Sequence, residues 1–348
     1  MPGLPASRDL PLLDFSRFDK GLGERLAFLS DLRAAARDVG FFYLTGHGIA
    51  DSLIDDVLSL SRRFFSLPES DKLAIEMVKS PHFRGYTRPG LERTKGKPDW
   101  REQIDVAAEE EALPRAANQP AWARLRGPNQ WPAALPELKA TLLRYQAETT
   151  AVAIRLLRAF ALALEQPEDV FEPIYSGSPN QLLKIIRYPG RDATEGDQGV
   201  GAHKDSGFIT FVLQDKQSGL QVETDDGWID ARPLRGSFVV NIGEVLEMAS
   251  DGYLRATVHR VVSPPAGTDR LSVAFFLGAR LDATIPLLDL PARLKDEASG
   301  VARDPDNPLF RDVGRNYMKS RLRSHPDVAA RHHADLLEGE AKEPASAY

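Results

Sequence analysis

From residue 181 to residue 278 the chain alternates. Val, Ile, Leu and Phe recur at every second position in runs such as Leu220-Gln221-Val222 and Leu271-Ser272-Val273-Ala274-Phe275, and Gly or Pro bounds the runs. Period two is the repeat of a strand with two unlike faces. Asp225-Asp226-Gly227 reads as a hairpin turn between two such runs. Many short strands at close spacing predict a double-stranded β-helix, or jelly roll, an architecture suited to a metal held between two sheets. Helical patterns dominate upstream, so the expected class is α+β: a jelly-roll core with flanking helices and a helical N-terminal region.

Polar residues interrupt this apolar pattern in a particular way. On a strand, His203 and Asp205 of His203-Lys204-Asp205 project to one face and Lys204 to the other. His259, in Thr257-Val258-His259-Arg260-Val261, completes a set of two imidazoles and one carboxylate. Such a facial set suits Fe(II) and leaves other coordination positions open for small ligands. The chain has no Cys, so no thiolate competes and no disulfide forms. Arg270 and Ser272 share a face by the same rule, and a guanidinium fork beside a hydroxyl is a carboxylate clamp. Tyr188 ends the run Lys184-Ile185-Ile186-Arg187-Tyr188-Pro189 and offers a phenol to the same carboxylate. Each pair alone is a weak signal; their joint occurrence on predicted strands is what points to a metal beside an anion clamp.

These residues, with Phe211-Val212-Leu213-Gln214-Asp215, Gly219-Leu220-Gln221-Val222, Val239-Val240-Asn241-Ile242-Gly243 and Arg270-Leu271-Ser272-Val273-Ala274-Phe275-Phe276, resemble the iron(II)/2-oxoglutarate-dependent dioxygenase superfamily in its isopenicillin N synthase-like branch. The N-terminal part resembles it too, through Gly40-Phe41-Phe42, His47-Gly48-Ile49, Phe64-Phe65-Ser66-Leu67-Pro68 and Arg84-Gly85-Tyr86. The resemblance spans roughly residues 10–320. It implies Fe(II) on His203, Asp205 and His259, the distal carboxylate of 2-oxoglutarate on Arg270, Ser272 and Tyr188, and O2 as the other co-substrate. The implied reaction is oxidation, by default hydroxylation, of an unactivated C–H bond in a small molecule, with release of succinate and CO2. Halogenating relatives lack the carboxylate that Asp205 supplies. Ile186, Glu244 and Lys204 depart from the commoner residues of the family, and none of the three removes a ligand. Phe208 and Phe276, by period-two counting, and Tyr86 are the expected pocket walls. Two other readings stay open: an oxidase that uses no 2-oxoglutarate, with Arg270 and Ser272 holding a substrate carboxylate, and a non-catalytic ligand-binding barrel.

The rest of the chain frames this core. Its 348 residues divide into an N-terminal dioxygenase-like region (1–120), a connector with a long backing helix (121–180), the catalytic jelly roll (181–280) and a C-terminal extension (281–348). Helices are expected over residues 23–39 and 51–65, from Ser70, from Pro136 to the Gln166-Pro167 stop, and over 310–324, the last folding back across the barrel mouth. Residues 191–199 read as an exposed loop, and the first nine and last dozen residues as loose ends. His47 reads as structural, bonding its turn backbone, while His82, His325, His332 and His333 read as surface residues. A net charge of −6 argues against a nucleic-acid or anionic-membrane surface, and no run is apolar for long enough to span a membrane. With no leader pattern at the N-terminus, the expected compartment is the cytoplasm.

Overall fold

The computed structural model describes residues 9–116, 118–192, 196–301 and 307–340. Of the loose ends expected at residues 1–9 and 337–348, residues 1–8 and 341–348 lie outside the described residues, as do residues 193–195 of the expected 191–199 loop, whereas residues 337–340 are helical and Gln198 and Gly199 already belong to a strand. Fourteen strands are described: β1 (Leu12–Asp14), β2 (Phe41–Thr45), β3 (Gly85–Thr87), β4 (Arg93–Thr94), β5 (Lys97–Pro98), β6 (Glu102–Ala107), β7 (Asn180–Tyr188), β8 (Gln198–His203), β9 (Ile209–Gln214), β10 (Leu220–Thr224), β11 (Gly227–Asp230), β12 (Phe238–Ile242), β13 (His259–Val262) and β14 (Arg270–Gly278). The main helices are α1 (Leu22–Asp38), α2 (Asp51–Phe65), α3 (Glu69–Ala74), α4 (Glu137–Ala163), α5 (Glu172–Tyr175), α6 (Glu244–Ala249), α7 (Ala292–Lys295), α8 (Val313–Ser324), α9 (Pro326–His332) and α10 (Ala334–Glu340).

Eight strands form one sheet in the order β1-β2-β12-β9-β14-β7-β6-β3, and four form a second in the order β11-β10-β13-β8. Strands from the N-terminal region thus complete both edges of the large sheet. The β10–β11 turn falls at Asp225-Asp226, where the sequence places it.

Each strand of the large sheet serves two cores. On β14, Leu271, Val273, Phe275 and Leu277 join the core beneath the helices, whereas Ala274 and Phe276 face the small sheet. That is why this strand reads as a nearly continuous apolar run: neither face meets water. α4 closes the helical side. Its stripe Leu138, Leu142, Tyr145, Val152, Leu156 and Phe160 is buried, and spacings of three, four and seven keep it on one helix face. The helix stops at Ala163, before Pro167, with Glu165 in the left-handed region at φ 57°.

α8 starts where Asp312 accepts a hydrogen bond from the Arg315 amide at 2.7 Å. It reaches Asp105 of β6 through Arg321, at 2.9 Å. Here the structure corrects the sequence reading of the C-terminal histidines. His325 and His333 are buried, not solvated. The His333 ring stacks on Phe83 at 5.1 Å and 6°, and its Nε2 bonds the Pro81 carbonyl. His332 bonds the Val78 carbonyl, and His82, half-buried, bonds the Arg124 carbonyl. The helices after Val313 dock onto the segment around Phe83, a long-range contact with no local pattern. His47 is as expected: it is buried, and its Nδ1 accepts from the Ile49 amide at 3.1 Å. Among the described residues, no helix is long and apolar enough to cross a membrane.

Burial pushes the His325 imidazole down to about 4. Above pH 6.5 the folded and unfolded chains both hold this ring neutral. As pH falls from about 6.5 to about 4, the unfolded chain takes up a proton that the folded chain refuses, so stability is lost over that window. For a fully buried ring the loss is roughly 3 kcal/mol. His325→Gln cannot titrate, so its melting temperature should fall less steeply than the wild type's over the same acid window. Parallel curves for the two proteins would contradict this role for His325.

Candidate metal and anion site

β8 and β13 are antiparallel neighbours, and His203 lies directly opposite His259. The pairing is irregular. Val200 opposes Val261 and His203 opposes His259, so three steps along β8 match two along β13. This bulge turns His203 to the inner face beside Val200, where strict alternation would set the two on opposite faces. The two rings stand 4.3 Å apart, centroid to centroid.

Asp205 lies beyond the end of β8, in a turn clamped from below. The Glu244 amide donates to the Asp205 carbonyl at 2.8 Å, and the Gly243 amide to the Phe208 carbonyl at 2.8 Å. Gly243 is required for this approach, because a Cβ there would come within 2.0 Å of the Gly207 carbonyl oxygen. Asp205 therefore joins His203 through this clamp and not through strand periodicity.

The donor atoms converge. Asp205 Oδ1 stands 3.5 Å from His203 Nε2 and 3.7 Å from His259 Nε2. Among the described residues, these three make the one cluster of His and carboxylate groups whose ligand atoms all lie within 4.8 Å of one another. The far side of each ligand is already engaged. His203 Nδ1 bonds the Gly201 carbonyl at 2.8 Å, and His259 Nδ1 bonds the Thr257 carbonyl at 3.3 Å. A proton on each Nδ1 leaves each Nε2 lone pair for a metal. Asp205 Oδ2 accepts from Thr210 Oγ1 at 2.6 Å and from Asn241 Nδ2 at 2.9 Å, which frees Oδ1.

The electrostatics suit a cation. Burial, and then the neighbouring His203, push His259 down to about 4, so this ring is neutral at pH 7. Burial opposes the charged form of His203 as well, but Asp205 outweighs it and raises that ring. Burial also opposes ionisation of Asp205. The two imidazoles and the Thr210 hydroxyl win, and the carboxyl is held far below its usual range. A buried anion facing two imidazoles across so short a gap is a donor set that fits Fe(II), with its hard oxygen and borderline nitrogens.

The anion clamp lies deeper between the sheets. Arg270 pairs with Tyr188 across β14 and β7, and Ser272 pairs with Ile186 on one side and Gln214 of β9 on the other. Arg270 is 1% exposed. Its Nη1 reaches Ser272 Oγ at 3.4 Å and its Nη2 reaches Gln214 Oε1 at 2.8 Å, while Nε has no partner. The Tyr188 ring lies 5.0 Å from the Arg270 Cζ. Burial weakens the charged form of Arg270, and no carboxylate forms an ion pair with it among the described residues. A fully buried guanidinium facing neutral partners fits a ligand carboxylate. Gly219 makes room for it, since a Cβ would lie 3.1 Å from Arg270 Cδ and 2.8 Å from the Val262 carbonyl oxygen.

The three expected pocket walls separate. Phe276 lies on the inner face of β14, with Arg270 and Ser272. Phe208 does not: it is fully buried in the helical core, with Phe171 edge-on at 5.7 Å. Period-two counting failed there because the chain is a turn, not a strand, between His203 and Ile209. Tyr86 also faces the helical side, where its hydroxyl donates to Glu102 Oε2 at 2.6 Å and its ring meets Phe64. Lys204 points away from the cluster to Glu247, at 3.2 Å. Sequence reasoning missed Thr210, Asn241 and Gln214. Their signal is a polar residue at an inward position of a strand that is otherwise apolar inside.

Two family patterns cover most of the chain. Residues 10–134 match the region described as non-haem dioxygenase in morphine synthesis N-terminal, and residues 179–279 match the 2OG-Fe(II) oxygenase superfamily. The 2-oxoglutarate-dependent dioxygenase frbJ of Dothideomycetidae sp. is 36% identical, covering 97% of this chain and 95% of its own. A homoarginine-6-hydroxylase of Arabidopsis thaliana is 37% identical, over 81% of this chain and 88% of its own. Among solved structures, a full-length Neurospora crassa protein crystallised in complex with alpha-KG and 5-formyluracil is similar with a TM-score of 0.73 and 26% identity, covering 92% of this chain and 98% of that one. JOX2 in complex with 2OG, Fe and JA is similar at 0.69 and 25%, covering 93% and 89%.

Thr210 and Asn241 hold the non-ligating oxygen of Asp205. Removing outer partners of a metal ligand typically weakens metal binding about 10–100-fold. Thr210→Val and Asn241→Leu should each lower Fe(II) affinity by roughly that factor under anaerobic titration, with the fold preserved. Wild-type affinity in both would show that Oδ1 needs no such orientation.

Proposed function

The chain belongs to the 2OG-Fe(II) oxygenase superfamily, a non-haem iron dioxygenase with 2-oxoglutarate and O2 as co-substrates, and on that premise we propose which of its side chains do the work. His203, Asp205 and His259 hold Fe(II). Arg270, Ser272 and Tyr188 hold the distal carboxylate of 2-oxoglutarate. Phe276, on the same inner face, walls the pocket. Within the superfamily we place the chain in the isopenicillin N synthase-like branch, on the Gly40-Phe41-Phe42 and Arg270-Leu271-Ser272 motifs. A reducing compartment such as the cytoplasm suits a ferrous site.

The observation that carries these assignments is the division of each polar side chain into an engaged half and an open half. Each imidazole spends Nδ1 on a carbonyl and keeps Nε2 open. Asp205 spends Oδ2 and keeps Oδ1 open. Arg270 binds Ser272 and Gln214 and leaves Nε unpartnered.

When bound, Fe(II) and 2-oxoglutarate supply the oxidising chemistry: O2 is consumed, 2-oxoglutarate is decarboxylated to succinate, and an oxygen atom is transferred to a substrate C–H bond. The protein's part is placement. His259 presents a neutral ring at pH 7 and Asp205 a charge that burial does not quench. Arg270 and Tyr188 orient the co-substrate from its far end. The apolar walls Val200, Leu220, Val222 and Val261 exclude water from the seam between the sheets. The oxidase reading without 2-oxoglutarate is not favoured, since the relatives named above are 2-oxoglutarate-dependent or hold alpha-KG or 2OG in their structures. Substrates named with the relatives differ: homoarginine for one, 5-formyluracil or JA in the complexes of others. We take the prime substrate to be a small molecule, hydroxylated at an unactivated carbon.

Arg270→Lys keeps the charge and loses the fork. Its KM for 2-oxoglutarate should rise at least about tenfold, equivalent to about 1.4 kcal/mol of binding, with Ser272→Ala acting in the same direction and more weakly. Asp205→Ala should lose both Fe(II) binding and succinate release. Full iron occupancy in folded Asp205→Ala, or an unchanged 2-oxoglutarate KM in Arg270→Lys, would sink these assignments.

A further inference from the structure

Beside the metal and anion site lies a second buried polar cluster that those assignments leave unused. The inner face of the β6 edge carries Arg101, Gln103 and Asp105 in alternation. Gln103 pairs with Ile186 of β7, and Asp105 pairs with Lys184. Glu92 enters from the segment before the β4–β5 hairpin, and Arg321 comes down from α8.

The charged atoms form one connected chain. Arg101 Nη2 bonds Glu92 Oε2 at 2.8 Å and lies 3.5 Å from Asp99 Oδ2. Glu92 Oε1 takes Lys184 Nζ at 2.8 Å, and Lys184 stands 3.6 Å from Asp105. Asp105 Oδ2 takes Arg321 Nη1 at 2.9 Å, and its Oδ1 takes Gln103 Nε2 at 2.7 Å. Arg101 also neighbours Tyr188, so the cluster adjoins the proposed 2-oxoglutarate clamp.

Every carboxylate in this chain of contacts is saturated, and the open valences lie elsewhere. Arg101 Nε, Arg321 Nη2 and Gln103 Oε1 have no partner. Arg321 is 4% exposed and Gln103 0%. The Gln103 orientation is fixed, because only its NH2 group can donate to Asp105. The connected cluster is neutral as it stands: Arg101, Lys184 and Arg321 balance Glu92, Asp99 and Asp105. Open guanidinium N–H groups beside an open amide oxygen in a neutral cluster call for a group that carries both signs, a carboxylate for the fork and a cationic donor for the oxygen.

We propose that the prime substrate is a small amino acid, that Arg101 and Arg321 receive its carboxylate, and that Gln103 Oε1 accepts a hydrogen bond from its ammonium group. The proposal rests on the oxygenase reading and adds the substrate class and the side chains that select it. It also gives α8 a role in recognition, since that helix carries Arg321.

The test uses the full-length Fe(II) enzyme with 2-oxoglutarate. L-homoarginine, L-arginine and L-lysine are the carboxylate probes; L-homoarginine methyl ester and thymine are the probes without a free carboxylate. Succinate release and, anaerobically, the shift of the visible Fe(II)–2-oxoglutarate band are read for each. At least one amino acid should raise succinate release above the substrate-free rate and shift the band, with the ester and thymine at least tenfold less effective. Arg321→Lys keeps a cation for Asp105 and loses the second Nη, and Arg101→Lys does the same for Glu92, so both variants should fold. Each should raise the half-saturation for the active amino acid at least tenfold, and in Arg321→Lys that for 2-oxoglutarate should change less than threefold. The proposal is overturned if thymine or the ester matches the acids, if both Lys variants bind the amino acid like the wild type, or if none of the three amino acids changes either readout. In that last case, persistent substrate-free succinate release would show the oxygenase reading intact, and its absence would bring that reading down separately.

Discussion

The structure depends on one buried carboxylate. Asp205 sits between two sheets in an otherwise apolar seam, and an isolated carboxylate there would cost several kcal/mol. It is tolerated because four groups converge on it: two imidazoles on one oxygen, and the Thr210 hydroxyl and Asn241 amide on the other. These come from β8, β13, β9 and β12, so satisfying one charge ties both sheets together. The same convergence leaves a gap lined by two nitrogens and an oxygen, a donor set that fits a divalent cation.

The large sheet makes this possible by being buried on both faces. Helices α1, α2 and α4 cover one side and contribute packing, not chemistry. With that face sealed, the inner face of β14 can hold Arg270 and Ser272 among apolar neighbours. Removing one partner of a buried charge typically costs about 3–5 kcal/mol, so inner-face polar residues come in mutually satisfied sets. Among the exceptions are Arg270 Nε in one place and Arg101 Nε, Gln103 Oε1 and Arg321 Nη2 in another, none of which has a partner.

Beside this site, segments far apart in sequence meet. The residue after the β4–β5 hairpin, Asp99, accepts through Oδ1 from the Gly201 amide two residues before His203. α8 supplies Arg321, and the histidines that follow it pack around Phe83. These segments are thereby joined through one network of side chains.

Much of this was legible beforehand, and the division is physical. Period-two runs specify strands, and period 3.6 specifies α4, because each repeat reflects which face is buried. Motif spacing named His203, Asp205, His259, Arg270 and Ser272, because chemistry restricts which side chains can serve. Local rules failed where the chain leaves regular structure. The β8 bulge and the 204–208 turn broke the alternation that placed Phe208 in the pocket, and Tyr86 went to the helical side because the pairing of β3 with β6 turned it there. The burial of His325 and His333 and the pairing of Asp105 with Arg321 were decided by tertiary structure alone. Those contacts join segments from opposite ends of the chain, and their energy exists only once the two sheets and the returning helix have assembled.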